Sequence, residues 1–111
     1  MSNRSPQLQV VLTTVSTADD ARRLARALVE RRLVACAQIV PGMTAVYRWQ
    51  GEICEDGELL LILKTSPAAV PSLRQAILEL HPYDTPQFVA LEATASDDYL
   101  AWALAQLAPG D

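Results

Sequence analysis

The chain has 111 residues, half of them apolar, with nine Lys and Arg against 13 Asp and Glu for a formal net charge of −4. That length supports one domain with one core and is too short for two. The acidic balance removes the counterion release that drives nucleic-acid binding, and the apolar runs are too short and too often broken by charge to span a bilayer. Met1-Ser2-Asn3-Arg4-Ser5-Pro6 lacks the apolar stretch and cleavage pattern of a signal peptide. The expectation is a cytoplasmic protein with no nucleic-acid partner and no membrane insertion. The two cysteines, Cys36 and Cys54, are too few for a disulfide scaffold or a four-ligand zinc site and read as reduced and structural.

Residues 7–15 are rich in β-branched and apolar types and read as a buried strand. A helix follows. Thr17 caps it, Asp19 and Asp20 favour its positive end, and Ala21, Leu24, Ala25, Leu28 and Val29 recur along one face. Arg22, Arg23, Arg26, Glu30 and Arg31 form the solvated face. A second strand over 33–40 stops or kinks at Pro41-Gly42, resumes at 44–49, and turns back at Gln50-Gly51. The return strand runs from Ile53 to Lys64. Glu52, Glu55, Asp56 and Glu58 flank it, and read as a solvated edge that discourages aggregation rather than as a hard-cation site.

Two prolines, Pro67 and Pro71, leave the start of the second helix open within 66–71. Its buried positions are Leu73, Ala76, Ile77 and Leu80, and it ends at His81-Pro82. Residues 87–92 form a fourth strand. Ser96 caps a last helix through Tyr99, Leu100, Ala103, Leu104 and Leu107, and 108–111 read as a frayed tail. Strand, helix, two-stranded hairpin, helix and strand is the split βαβ order: an α+β, ferredoxin-like plait with an antiparallel sheet, two helices on one face and an extra C-terminal helix.

The central hairpin is too long for that plait. A strand over 33–49 would reach roughly 55 Å, against a domain roughly 34 Å across. It must bend at Pro41-Gly42, overhang, or both. An overhang carrying Met43, Val46, Tyr47 and Trp49 exposes more apolar surface than a monomer usually tolerates, which points to a homo-oligomer that closes the sheet edges.

The only histidine lies in His81-Pro82-Tyr83-Asp84-Thr85-Pro86, where each residue before a proline is pushed toward extended geometry. A stiff segment therefore presents the imidazole. At a helix end it either interacts with the terminal carbonyls or ligates a metal, and Asp84 either sets its tautomer or serves as a turn residue. Tyr83, Trp49 and Trp102 suit packing at core or subunit contacts. Lys64, at the end of an apolar strand, is placed to face a pocket and hold an anion.

Catalysis finds little support. A nucleophile, base and orienter would all have to be assembled around His81. Gly42, Gly51, Gly57 and Gly110 are scattered, with no phosphate-cradling loop. The chain reads as a non-enzyme without an organic cofactor.

Ala35-Cys36-Ala37-Gln38-Ile39-Val40-Pro41-Gly42, Tyr47-Arg48-Trp49-Gln50-Gly51-Glu52-Ile53, Leu63-Lys64-Thr65, the His81-Pro86 segment and Tyr99-Leu100-Ala101-Trp102 occur in order along the chain. In these motifs the sequence resembles the CutA divalent-cation-tolerance family over roughly residues 8–107. The resemblance implies one such domain over 1–111 with an ordered core over about 8–107. It further implies a cytoplasmic homotrimer of ferredoxin-like subunits, similar in architecture to the nitrogen-regulatory signal transducers, acting in divalent-metal response. Copper binding near the histidine motif is also implied, with His81 and Asp84 as the metal residues. Thr13 stands where some members carry a cysteine, Leu80 where some carry a histidine, and Gln87 where a glutamate is frequent. A Cu2+ site here is accordingly expected to be weaker than in better-equipped relatives, or to draw ligands from a neighbouring subunit. The alternative is a trimeric signalling or scaffold module, binding a small anion or a protein partner in clefts between subunits lined by Lys64, Tyr83, Tyr47 and Trp49.

Overall fold

The computed structural model describes residues 7–109. Its elements are β1 (Leu8–Val15), α1 (Ala18–Glu30), β2 (Cys36–Trp49), β3 (Glu52–Thr65), a 3-10 turn (Pro67–Ala69), α2 (Val70–Leu80), β4 (Val89–Ala93) and α3 (Asp97–Gln106). The strands form one sheet in the order β2-β3-β1-β4 with every neighbour antiparallel, the split βαβ topology that the element order predicts.

Alternation along the strands divides the sheet into two unlike faces. Val11 pairs with Leu63 and Thr13 with Leu61, and these side chains with Val15 face α1 and α2. There they meet Ala21, Leu24, Ala25 and Leu28 of α1 and Leu73, Ala76 and Ile77 of α2 in the main core. Each fully buried Leu or Ile stabilises the fold by about 1.5–3 kcal/mol relative to exposure. On the opposite face α3 covers one end only, where Ala103 and Leu100 pack on Leu8 and Ala93. The rest of that face carries Val10, Leu12, Val40, Leu60, Ile62, Val89 and Leu91 by register.

Local chemistry explains the boundaries. The Thr17 hydroxyl accepts from the Asp20 N–H at 3.1 Å and opens α1. At its other end the Leu33 N–H reaches Leu28 O and the Arg32 N–H reaches Val29 O, with Arg32 at φ 58, a Schellman stop made without glycine. Ser66 resolves the open start of the second helix, because its hydroxyl caps the 3-10 turn through the Ala69 N–H and Pro71 then sits in the first turn of α2. The hairpin turns at Gln50 and Gly51, φ 50 and 82, as a tight turn of the primed kind.

Of the two outcomes expected at Pro41-Gly42, a stop or a kink, the kink is found: β2 runs through it with a bulge between Val40 and Met43, and Gly42 supplies the positive φ of 78. Several other details differ from the sequence expectation. Val29 is 43% exposed because it projects over edge strand β2, beyond which the chain offers no further layer. Leu80, the last residue of α2, and Leu104 are likewise exposed. Pairing in β4 begins at Val89, since Pro86 and its neighbours belong to the preceding loop. The C-terminal segment is tied down at Ala108, whose N–H donates to Arg32 O at 3.0 Å. Met1–Pro6 and residues 110–111 of the expected tail lie outside the described residues.

The overhang is present. The molecule measures 49 × 32 × 24 Å with a radius of gyration of 15.1 Å, against roughly 13 Å for a compact chain of this length. The far half of the hairpin leaves Val46, Tyr47, Trp49 and Ile53 exposed.

Candidate functional site

Pro82 ends the helical run after Leu80 and leaves His81 extended, at φ −76 and ψ 138, with its ring turned toward the end of β1. A carbonyl only accepts, so the 2.8 Å contact between Nε2 and Thr14 O fixes the proton on Nε2. The remaining lone pair, on Nδ1, accepts the Tyr83 N–H at 3.1 Å. The imidazole is 7% exposed and edge-on to the Tyr83 ring, with centroids 4.8 Å apart. Desolvation lowers its pKa below the ordinary histidine value, against the opposing pull of the Thr14 carbonyl, Asp20 and Glu58. Tyr83 in turn donates its hydroxyl to Glu58 Oε2 at 3.1 Å. Burial, reinforced by Glu58, holds that phenol above its ordinary value. His81 and Tyr83 thus staple the 81–86 loop to β1 and β3.

Within one chain both ring nitrogens of His81 are engaged. A neutral imidazole offers a metal one lone pair, and here the Tyr83 N–H occupies it. Asp84 lies exposed and does not set the tautomer; the Thr14 carbonyl does. Thr13 is wholly buried on the helix side, and its hydroxyl has no hydrogen-bond partner among the described residues. Among the described residues no three His, Cys, Asp or Glu side chains gather as a metal-holding group.

Lys64 lies on the other face. Its register partners are Val10 and Cys36, and its ammonium contacts the Tyr99 hydroxyl at 3.5 Å and lies 5.4 Å from that ring's centroid. Among the described residues it has no carboxylate partner. Trp102, half exposed, leans on Tyr99 with centroids 5.6 Å apart. Tyr47 and Trp49 sit far along the hairpin, Tyr47 donating to Asp56, a bond that pushes its pKa up to about 12.

The aromatic and basic candidates therefore do not converge in one chain. Lys64, Glu58 with Tyr83, and Cys54 opposite Tyr47 are strung along β3. At about 3.3 Å per residue, the first and last stand roughly 33 Å apart. Tyr99 and Glu58, the partners of Lys64 and Tyr83, are the residues that sequence reasoning left without these roles. No local signal announces either, since each lies more than 20 positions from the residue it serves.

Fold and site together define a ferredoxin-like α+β protein with a stapled histidine loop, an overhanging hairpin and a largely uncovered apolar sheet face. Residues 9–106 match the family described as CutA1 divalent ion tolerance protein. The chain is 53% identical over 95 residues to the divalent-cation tolerance protein CutA of Thermus thermophilus, covering 85% of this chain and 92% of that one. A solved structure of the divalent cation tolerance protein from Thermus thermophilus superposes with a TM-score of 0.87 at 49% identity, over 91% of this chain and 99% of that one. Protein CutA, chloroplastic, of Arabidopsis thaliana is 40% identical over 94 residues, covering 84% of this chain and 52% of its own longer length. The chain belongs to the CutA divalent ion tolerance family.

Proposed function

We propose that the protein is a non-catalytic, cytoplasmic homotrimer that acts in the response to divalent cations, binding Cu2+ or a similar ion through donors that assembly brings together. The observation that carries this reading is the apolar sheet face. Val40, Val89 and Leu91 are 42%, 41% and 48% exposed on a face that α3 covers at one end only, a patch of the kind that marks association. The cation comes from the family and from the names of its relatives. The number three comes from the family resemblance. No helix among the described residues is long and apolar enough to cross a membrane.

Native mass measurement and a Cu2+ titration of chelator-treated protein, wild type beside His81→Ala, test the proposal. Because the ring's lone pair is already engaged, the expected result is a mass of three chains and Cu2+ binding that survives the substitution. A monomer overturns the assembly. Failure of the trimer to bind Cu2+, Zn2+ or Mn2+ overturns the cation reading. Loss of binding in an intact His81→Ala trimer restores His81 as a ligand.

The uncompensated ammonium of Lys64 favours a second reading, a small-anion site completed by a neighbouring subunit. Inorganic phosphate bound by wild type and lost in Lys64→Met supports it; equal binding by both refutes it.

A further inference from the structure

Between α2 and the stapled loop lies a cavity of about 260 Å³. Ile77, Leu78, Pro86 and Phe88 line it with apolar groups, and Arg74, Asp84 and Thr85 with polar ones. Arg74 precedes Ile77 and Leu78 by three and four residues, so all three share one face of α2. Asp84 faces them from the loop, whose position is fixed by the two bonds of the His81 ring and the bond from Tyr83 to Glu58. The opposite charges line one cavity, yet they form no ion pair with each other or with any other described residue.

We propose that this cavity binds a free, small apolar amino acid as its zwitterion, with the carboxylate on Arg74, the ammonium on Asp84 and the side chain on Ile77, Pro86 and Phe88. Three properties of the cavity select that class. A guanidinium forks onto a carboxylate, and a carboxylate accepts from an ammonium, so a ligand carrying both groups on one carbon satisfies two charges that do not reach each other. The volume falls below the roughly 300–1,000 Å³ of drug-sized sites. At about 30 Å³ per displaced water it holds roughly nine waters, close to the nine heavy atoms of leucine. The lining also disfavours a charged side chain, because Arg74 and Asp84 are engaged by the zwitterion and no other ionised residue lines the cavity.

The test uses the full assembled chain and calorimetric titration with L-leucine, leucinamide, which lacks the carboxylate, and N-acetyl-leucine, which lacks the ammonium. Leucine is expected to bind at about millimolar affinity or tighter, and each derivative about tenfold or more weaker. Arg74→Gln should remove the preference for leucine over leucinamide, and Asp84→Asn the preference for leucine over N-acetyl-leucine. Both side chains are exposed, so neither change threatens the fold. Absence of leucine binding up to about 10 mM, tenfold beyond that expectation, overturns the proposal. So does equal binding of the three compounds, or discrimination that survives both substitutions. Arg74 has no part in the cation reading, so the Arg74→Gln arm, read as the loss of preference for leucine over leucinamide, is distinguishable from a failure of that reading.

Discussion

Replacing His81 with alanine removes the bond that ties the 81–86 loop to β1 and the bond from the Tyr83 N–H within the loop, and the effect follows from what is left behind. Thr14 is 6% exposed, so its carbonyl loses its side-chain donor in a place that water barely reaches. Leaving such a group unsatisfied costs about 1–3 kcal/mol. Loss of the edge-on contact with Tyr83 adds about 0.5–1.5 kcal/mol. The Tyr83 N–H is less buried and regains water. A destabilisation of roughly 2–4 kcal/mol is expected, read as a fall of about 1–2 M in the urea midpoint at fixed protein concentration. The same ring makes stability depend on pH. Its folded pKa lies below the unfolded value of about 6.5, so the neutral staple contributes fully above that value. As pH falls through about 6.5, the unfolded chain takes up the proton first and stability drops, by up to about 1.4 kcal/mol per pH unit until the lower folded pKa is reached. The carboxylates titrate in wild type and variant alike, so the difference between the two isolates His81. His81→Gln, which can still donate to Thr14 O but does not titrate, should recover part of the stability and none of the pH slope. Equal stability of wild type and His81→Ala near pH 7.5, or the same slope in both between pH 7 and 5, refutes the staple.

Thr13→Val replaces a wholly buried hydroxyl that has no partner. It should stabilise the protein by about 1 kcal/mol, a rise of roughly 4 °C in the calorimetric Tm. Gln50 holds φ 50 in the hairpin turn, so Gln50→Asn, better suited to the left-handed region, should gain about 0.5 kcal/mol by urea denaturation. Leu91→Glu places a charge on a side chain already 48% exposed in the single chain. Circular dichroism should stay native while native mass falls to one chain, because the buried carboxylate is intolerable only in the assembled interface.

How far the sequence could be read depended on the range of the interaction. Helix α1 was legible because Thr17, Asp19, Asp20 and the Leu24-Leu28 spacing act within a few residues. The Gln50-Gly51 turn was legible for the same reason, and the overhang followed from counting residues. At Pro41-Gly42 the sequence left stop and kink open, because the pair is chemically a turn signal, and only the continuing β3 partner makes it a strand irregularity. Val29 and Leu80 continue apolar stripes, yet lie where the second layer ends, and periodicity does not say how wide a sheet is. For His81 the sequence left cap and ligand open. The deciding group, the Thr14 carbonyl, is 67 positions away.

The sheet also separates the proposed ligand cavity from the proposed assembly face. The stapled loop with Asp84, and Arg74 within α2, lie on the helix side, where the core is closed. Leu91, Val40 and Lys64 belong to the side where it is open. Side chains at successive strand positions point to opposite faces, so one β1 residue can serve one side while its neighbour serves the other. Thr13 packs beneath the helices, and Val10 and Leu12 face outward from the same strand. A substitution confined to one face should leave the other's readout unchanged. A variant such as Leu91→Glu that destroys assembly yet keeps the pH-dependent staple would locate the histidine switch within the subunit. Loss of both together would mean that the open face, not the helix layer, holds the end of β1 in place.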